Sequence, residues 1–429
     1  MKNWNDLYKM LKNGEMDQSL MQTGCGDINA YRTRATEVMN GFEKTFGVKE
    51  DTLAALCSAP GRTEICGNHT DHQHGHVLAA AVNLDFLACV SPNGTQTVHF
   101  QSEGWPMTTV DLSDLEQQEA EKETTASLVR GVMAELAKAG YTVGGFDMYA
   151  VSNVLPGSGL SSSAACEILL GVAGNHLFCQ DELDAVTLAK IGQKAENQYF
   201  GKPSGLMDQT ASSVGDAVAI DFTDPSAPIV RSVTANLEEL GLALCIVDCG
   251  ADHAALTGEY ASIPQEMGKV AQFFGKEVLH DVREEEILAL LPELRKAAGD
   301  RAVLRALHFY ADDKRAVEEA DALQRKDKET FLHLVKESGR SSWELLQNIT
   351  PAGAVEVQDM AVALAATEIA LKGKGACRVH GGGFAGTLQA FVPLEDVEEF
   401  KKNVETMIGE GCCHILSIRP VGGIVLSLD

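Results

Sequence analysis

No G-x-x-x-x-G-K-[ST] occurs anywhere in the 429 residues. No lysine therefore stands beside a closing glycine to reach terminal phosphates, and the P-loop class is excluded. Basic residues are scarce, with 35 Lys and Arg against 61 Asp and Glu and a net charge of −26. A chain this acidic repels a phosphate backbone, which argues against nucleic acid and anionic membrane surfaces as partners. Any site for a polyanion must be local, lined by dipoles and helped by a divalent cation. The eleven cysteines form no C-x-x-C and no paired framework, so reduced thiols are expected. The longest apolar stretches, such as Leu78 to Val90, are broken by Asn83 and Asp85 and fall short of the roughly eighteen residues a membrane span needs. The amino terminus, MKNWNDLYKMLKNGEMDQ, lacks an apolar signal core, and a cytoplasmic protein is the expectation. There is no low-complexity tract and no fixed-period repeat. With 45% hydrophobic and 22% charged residues, the chain is an ordinary globular one, long enough for two domains.

What is present centres on Leu155-Pro156-Gly157-Ser158-Gly159-Leu160-Ser161-Ser162-Ser163-Ala164-Ala165. Phe146 to Leu155 reads as a buried strand, and Ala164, Ala165, Ile168, Leu169 and Val172 recur at helical spacing. Strand, glycine turn and helix follow one another. Gly157 and Gly159 let the backbone approach a ligand, the serines can cap the helix, and free N–H groups of its first turn point at an anion. The dinucleotide fingerprint fails at its third glycine, which is Ser162, although Asp181 and Glu182 lie at about the distance of a ribose-binding acid. A serine-rich capped turn would give the same composition.

The first fifty residues read as a helical arm, residues 53–110 as several strands, and 115–138 and 183–199 as helices. Asp221, Asp224, Pro225 and Pro228 mark a break, which places a domain boundary near 215–235. Beyond the strand Leu242 to Val247 the chain turns strongly helical. Near its end two apolar segments flank the glycine turn 381–386.

Two further segments carry dense polar residues. In APGRTEICGNHTDH (residues 59–72), Arg62 beside a Gly-Pro turn can stabilise charge on a transferred phosphoryl group, and His69 and Asp71 can hold hydroxyls of a polar substrate. His69, His72, His74 and His76 crowd the same stretch, and on a strand the last three would share a face suited to zinc or nickel. In ENQYFGKPSGLMDQ (residues 196–209), Glu196 and Asp208 can meet in one site, one holding Mg²⁺ and the other orienting or deprotonating a hydroxyl.

In order and spacing, APGRTEICGNHTD, LPGSGLSSSAACE, ENQYFGKPSGLMDQ and HGGGFAGTLQAFVP, with Gly258-Glu259-Tyr260 as a weaker fifth piece, resemble the galactokinases within the GHMP small-molecule kinases. The resemblance implies an α+β fold of two domains, a mixed α/β amino-terminal domain (1–215, with the sugar-binding segment 59–85 and phosphate loop 155–165) and a ferredoxin-like carboxy-terminal domain (216–429). It implies transfer of the ATP γ-phosphate to the anomeric hydroxyl of galactose or a related sugar. Asp208 would be catalytic base or anchor for that hydroxyl, and Arg62 would stabilise the transition state. Gly157, Gly159, Ser161, Ser162 and Ser163 would cradle ATP, Ser163 and Glu196 would ligate Mg²⁺, and Arg62, Asn68, His69, Asp71, Gly205, Asp208 and Tyr260 would contact the sugar. A monomer or weak homo-oligomer is expected. The alternatives are a kinase for another sugar or polyol and a catalytically silent regulator that binds sugar and ATP. Glu64, Cys66, Asn68 and His72 depart from the family pattern Arg-x-Asn-x-Ile-Gly-Glu-His-x-Asp-Tyr. An amide in place of that glutamate loses a charge-assisted bond, a difference of about 1–2 kcal/mol.

Overall fold

The computed structural model describes residues 1–155, 158–250 and 256–427. The amino-terminal arm is helical as expected, over Trp4–Lys12, Asp17–Met21 and Ile28–Phe46, and packs Leu11, Val38, Met39 and Phe42 onto one face of a sheet. That sheet contains, among the described residues, β1 (Lys2–Asn3), β2 (Leu53–Cys66), β3 (His76–Pro92), β4 (Thr97–Ser102), β5 (Thr108–Asp111), β6 (Phe146–Ser152), β7 (Ala217–Asp221) and β8 (Ile229–Val233). The long strands β2 and β3 form its spine, antiparallel to each other, with one half of β3 also pairing β6 and the other half β7. Helices Thr125–Lys138 and Ser162–Phe178 cover the opposite face, where Val129, Met133, Ile168 and Leu169 meet Ala88, Val90 and Met148. The segment 115–124, expected to begin a helix, stays outside it.

A second sheet holds β9 (Leu242–Asp248), β10 (Ala376–Val379), β11 (Thr387–Pro393) and β12 (Cys413–Leu416) in the order β10-β11-β9-β12, antiparallel throughout. With helix Val397–Met407 between β11 and β12, and helices including Asp300–Gln324, Lys328–Ser341 and Asp359–Leu371 between β9 and β10, this is the ferredoxin-like split βαβ arrangement. The fold is therefore α+β with two sheets.

The stretch 215–235, where the sequence places a boundary, holds the β7–β8 hairpin of the first sheet. The Asp- and Pro-rich stretch is the loop of the β7–β8 hairpin, turned by Asp221 accepting from Thr223 N–H and Asp224 from Ser226 N–H. The first sheet thus extends past residue 215 to Val233, and a final strand, β13 (Ile424–Leu426), returns to pair with β2. Turn chemistry and linker chemistry use the same residues, which is why composition confused them. No cysteine pair is bonded. Among the described residues, no helix is long and apolar enough to cross a membrane.

Candidate active site

The β2–β3 ladder slips register twice, between Pro60 and Arg62 and between Glu64 and Cys66. Such irregularities re-aim side chains, and here they turn Arg62 toward the loop before helix Ser162–Phe178. Arg62 N–H donates to Leu160 O (3.0 Å), and a side chain at Gly61 would lie 2.8 Å from that same oxygen. Only a glycine lets strand and loop approach this closely. The buried Arg62 guanidinium donates through Nε to Asp208 Oδ1 (2.7 Å) and through an Nη to Gly159 O.

The loop itself is strained where it meets the helix. Ser161, the residue before the first helical turn, has φ +54°, a left-handed conformation that costs a non-glycine residue about 1–3 kcal/mol and persists where the surroundings impose it. Its hydroxyl does not cap the helix, contrary to expectation; it donates to Asp208 Oδ2. No side chain of the N-cap therefore covers the first-turn N–H groups, the arrangement an anion site requires. Gly159 has φ +71°, and Ser162 and Ser163 are half-buried at the helix start. Gly157 lies outside the described residues.

Asp208 lies in the first turn of helix Met207–Val214 and keeps part of its carboxylate open to solvent. Burial would raise its pKa, but the Arg62 guanidinium, the Ser161 hydroxyl and the charge of Lys202 together hold it below the ordinary carboxylate range. Glu196 arrives from the other side. The helix read as 183–199 is α-helical only over Ala185–Lys194 and widens to a π-turn over Ala195–Phe200, a feature often found at functional sites. Glu196 is buried there, accepting from Ser204 Oγ and from Gln209 Nε2 (2.9 Å) and lying 3.2 Å from Lys202 Nζ. Gln209 Nε2 also donates to Glu167 Oε2 at 2.9 Å, so one amide bridges two carboxylates.

The third side is the glycine turn between β10 and β11. The Tyr260 hydroxyl donates to Gly383 O (2.8 Å), and its ring lies where a side chain at Gly382 would come within 2.5 Å. His69 Nε2 sits 3.1 Å from Gly382 O. A carbonyl only accepts, so Nε2 carries the proton. Burial and the neighbouring His72 push the His69 pKa down to about 4. Asp71 faces Gly205, where a Cβ would lie 2.9 Å from Asp71 Oδ2. The structure thus gathers Arg62, Ser161 and Asp208 into one bonded cluster, Asp71 with Gly205, and His69 with Tyr260 on the glycine turn.

Two expectations change. Asn68, read as a sugar contact, is fully buried and its amide is saturated: it donates to Glu64 Oε1 (2.9 Å) and Gly381 O (2.7 Å) and accepts from Asn348 Nδ2 (2.8 Å) and Ser342 Oγ (3.3 Å). It is an internal tie with no polar capacity left for a ligand. The histidine cluster also differs, because Asp71–Gln73 forms a 3-10 turn, His74 is left-handed and β3 starts only at His76. The three imidazoles share no strand face; His76 pairs instead with Asp313 (2.9 Å) and Asp221 (3.6 Å). Among the described residues, no group of three or more His, Cys, Asp or Glu is placed to hold a metal ion.

Sequence reasoning gave no role to His380, Glu167, Lys202 or Arg378. His380 is buried under the phosphate loop: Nε2 accepts from Glu64 N–H (3.3 Å), and Nδ1 lies 2.9 Å from Thr387 Oγ1, which donates to Ser158 O. Burial, then Arg62, drives its pKa down to about 3, so the ring is neutral with the proton on Nδ1. The available signal was a charged or polar residue inside an apolar element, as Glu167 is in SSAACEILLGV and Arg378 in ACRV.

Known proteins resemble this chain in sequence and fold. Residues 127–216 match the model of the GHMP kinases N terminal domain, and residues 40–92 match the galactokinase galactose-binding signature. A galactokinase of Actinobacillus pleuropneumoniae serotype 3 (strain JL03) is 31% identical over 82% of this chain and 88% of its own length. One of Streptomyces coelicolor is 31% identical over 85% and 90%. Among solved structures, a Lactococcus lactis galactokinase complexed with galactose superposes with a TM-score of 0.76 at 24% identity, covering 91% of this chain and 99% of that one. A mevalonate kinase of Methanococcus jannaschii gives 0.60 at 15% identity over 85% and 98%. These two likenesses speak for the fold.

Proposed function

The chain belongs to the galactokinase family, and from that premise we propose that Asp208 and Arg62 carry the transfer of the ATP γ-phosphoryl group to the anomeric hydroxyl of galactose. The observation that supports these roles is the double tether of Asp208, one oxygen on Arg62 and the other on Ser161 of the phosphate loop. A hydroxyl held by that carboxylate is aimed at phosphates held by that loop. The hydroxyl oxygen bonds to the γ-phosphorus, the bond to the β,γ-bridging oxygen breaks, and ADP departs with the electron pair.

A carboxylate held below its ordinary pKa is a weak proton acceptor. Phosphoryl transfer through a loose transition state asks little of the base beforehand, since bond formation to the nucleophile lags bond breaking. Asp208 therefore acts mainly by orienting the O–H and receives its proton late. Arg62, fixed on Gly159 O, balances charge spreading over the phosphoryl oxygens. His69, Asp71, Gly205 and Tyr260 form the sugar side, and Gly159, Ser162 and the first-turn N–H groups form the phosphate side.

Ser163 and Glu196 would hold Mg²⁺. Both supply hard oxygen donors, and two protein ligands suit an ion that keeps its waters and shares the nucleotide's phosphates. A buried Glu167 oxygen without a protein partner lies beside them, in a carboxyl group whose pKa burial and the Glu196 charge push well up. Bound there, Mg²⁺ supplies charge neutralisation on the β- and γ-phosphates. A monomer or weak homo-oligomer remains part of the proposal, and the use of free sugar with ATP supports a cytoplasmic setting. The test is a panel of free hexoses with ATP and Mg²⁺ followed by phosphorus NMR. The expected result is the 1-phosphate of galactose, absent with Asp208→Asn. No C1 monoester from any sugar would overturn the reading, and a product only from another sugar would move the substrate.

A further inference from the structure

The turn that joins Glu196 to Asp208 carries a lysine with an unusual neighbour. Lys202 Nζ lies 3.2 Å from Glu196 Oε1; the lysine side chain is 60% exposed and the glutamate only 4%. One partner of this pair is free to move and the other is not. The turn is pinned to the same glutamate, since Gly201 N–H (2.9 Å) and Lys202 N–H (3.2 Å) both donate to Glu196 O. The ammonium therefore works from a fixed root. Glu196 Oε2 is committed to Ser204 and Gln209, two groups inside the protein. Oε1 is the oxygen a cation can claim, and Lys202 sits on it. The lysine's positive charge is also felt at Asp208 and Glu167.

A chain of net charge −26 must supply cations to a nucleotide locally. Arg62 is fixed between Asp208 and Gly159 and cannot follow a moving phosphoryl group. Lys202 has a flexible four-carbon stem and a compact charge. We propose that Lys202 is a catalytic residue that changes partners, neutralising Glu196 in the free enzyme and moving onto the γ-phosphate of ATP when the nucleotide's divalent cation takes the Glu196 oxygen. The exchange keeps the carboxylate paired at every stage, so no charge is left unpaired in the site. This inference rests on Glu196 as the cation ligand.

Mutual exclusion gives the test its signature, because the two readouts move in opposite directions. In Lys202→Met, Mn²⁺ binding to the enzyme without nucleotide, read from the free-ion EPR signal, tightens about two- to five-fold, the scale of a lost exposed ion pair. At the same time kcat with ATP and sugar falls about 10²-fold, as when one donor to transition-state charge is removed. The KM for sugar stays unchanged. Lys202→Arg keeps the charge and restores most of kcat. The exposed position means these variants fold. Mn²⁺ binding no tighter in Lys202→Met, or kcat retained there, overturns the proposal. Glu196→Gln separates the two levels: if it loses Mn²⁺ while Lys202→Met binds like wild type, the cation ligand stands and the exchange falls. If Glu196→Gln binds Mn²⁺ like wild type, the ligand assignment falls and the exchange with it.

Discussion

At the residue scale, His76 shows how a group read as a possible metal ligand serves stability. Its bond to Asp313 raises its pKa above the usual value near 6.5, burial opposes this, and the charges of Asp313 and Asp221 reinforce the rise. A group whose folded pKa is raised contributes stability in full below its unfolded pKa and loses it as pH climbs through the folded value. Thermal unfolding followed by circular dichroism should therefore give a lower Tm at pH 8.5 than at pH 6, and Asp313→Asn should flatten that dependence. Equal slopes for the two proteins would assign the pH effect elsewhere. Added zinc should leave Tm unchanged, in keeping with imidazoles that do not converge.

At the scale of elements, the glycine turn between β10 and β11 is the piece on which the proposed sugar side depends for its shape. Gly383 has φ +85°, and a Cβ there would collide with the backbone and side chain of Asn348. Asn348 in turn holds Asn68 and Gly382 O. Gly383→Ala must shift the turn, and with it the carbonyls that position His69 and Tyr260. The expected outcome is a loss of about 1–3 kcal/mol in denaturant unfolding from the left-handed conformation alone. Steady-state kinetics should show a raised KM for sugar and a smaller change in KM for ATP. A variant with wild-type sugar KM would show that the turn does not position the sugar side.

At the scale of the molecule, the two sheets are joined by buried polar groups as well as by an apolar seam that includes Val82, Leu160, Leu244, Ile246 and Phe391. Arg378 of β10 donates to Ile65 O (2.5 Å) and pairs with Glu64 of β2 (3.4 Å). His308 Nε2 donates to Asn68 O (2.9 Å), and Asn68 N–H donates to Asp312 (2.9 Å). Removing one member of a buried ion pair costs about 3–5 kcal/mol, because the charge left behind has no water to turn to. Arg378→Met should lower unfolding free energy by about that much, and Glu64→Gln added to it should recover part of the loss. A double variant no more stable than the single would mean that Glu64 and Arg378 are not coupled. The same ties carry the sugar segment, so the relative position of the sheets and the site geometry are set together.

Much of this protein is legible in its sequence because short-range rules govern it. The acidic balance, the absent P-loop, the helical arm, the strand–turn–helix around Ser161 and the Gly/Pro turn between Glu196 and Asp208 all follow from composition, periodicity and local spacing. Local pattern establishes which chemistry is available: oxygen donors, one arginine and a helix start. Long-range packing sets how these groups are used. The slips in the β2–β3 ladder aim Arg62, and the left-handed Ser161 turns its hydroxyl from the helix to Asp208. Asn68 is drawn into the seam between the sheets, and the Asp- and Pro-rich loop proves to be a hairpin. Each outcome depends on partners far along the chain, and a side chain's role is fixed by the group that meets it, which local pattern does not contain.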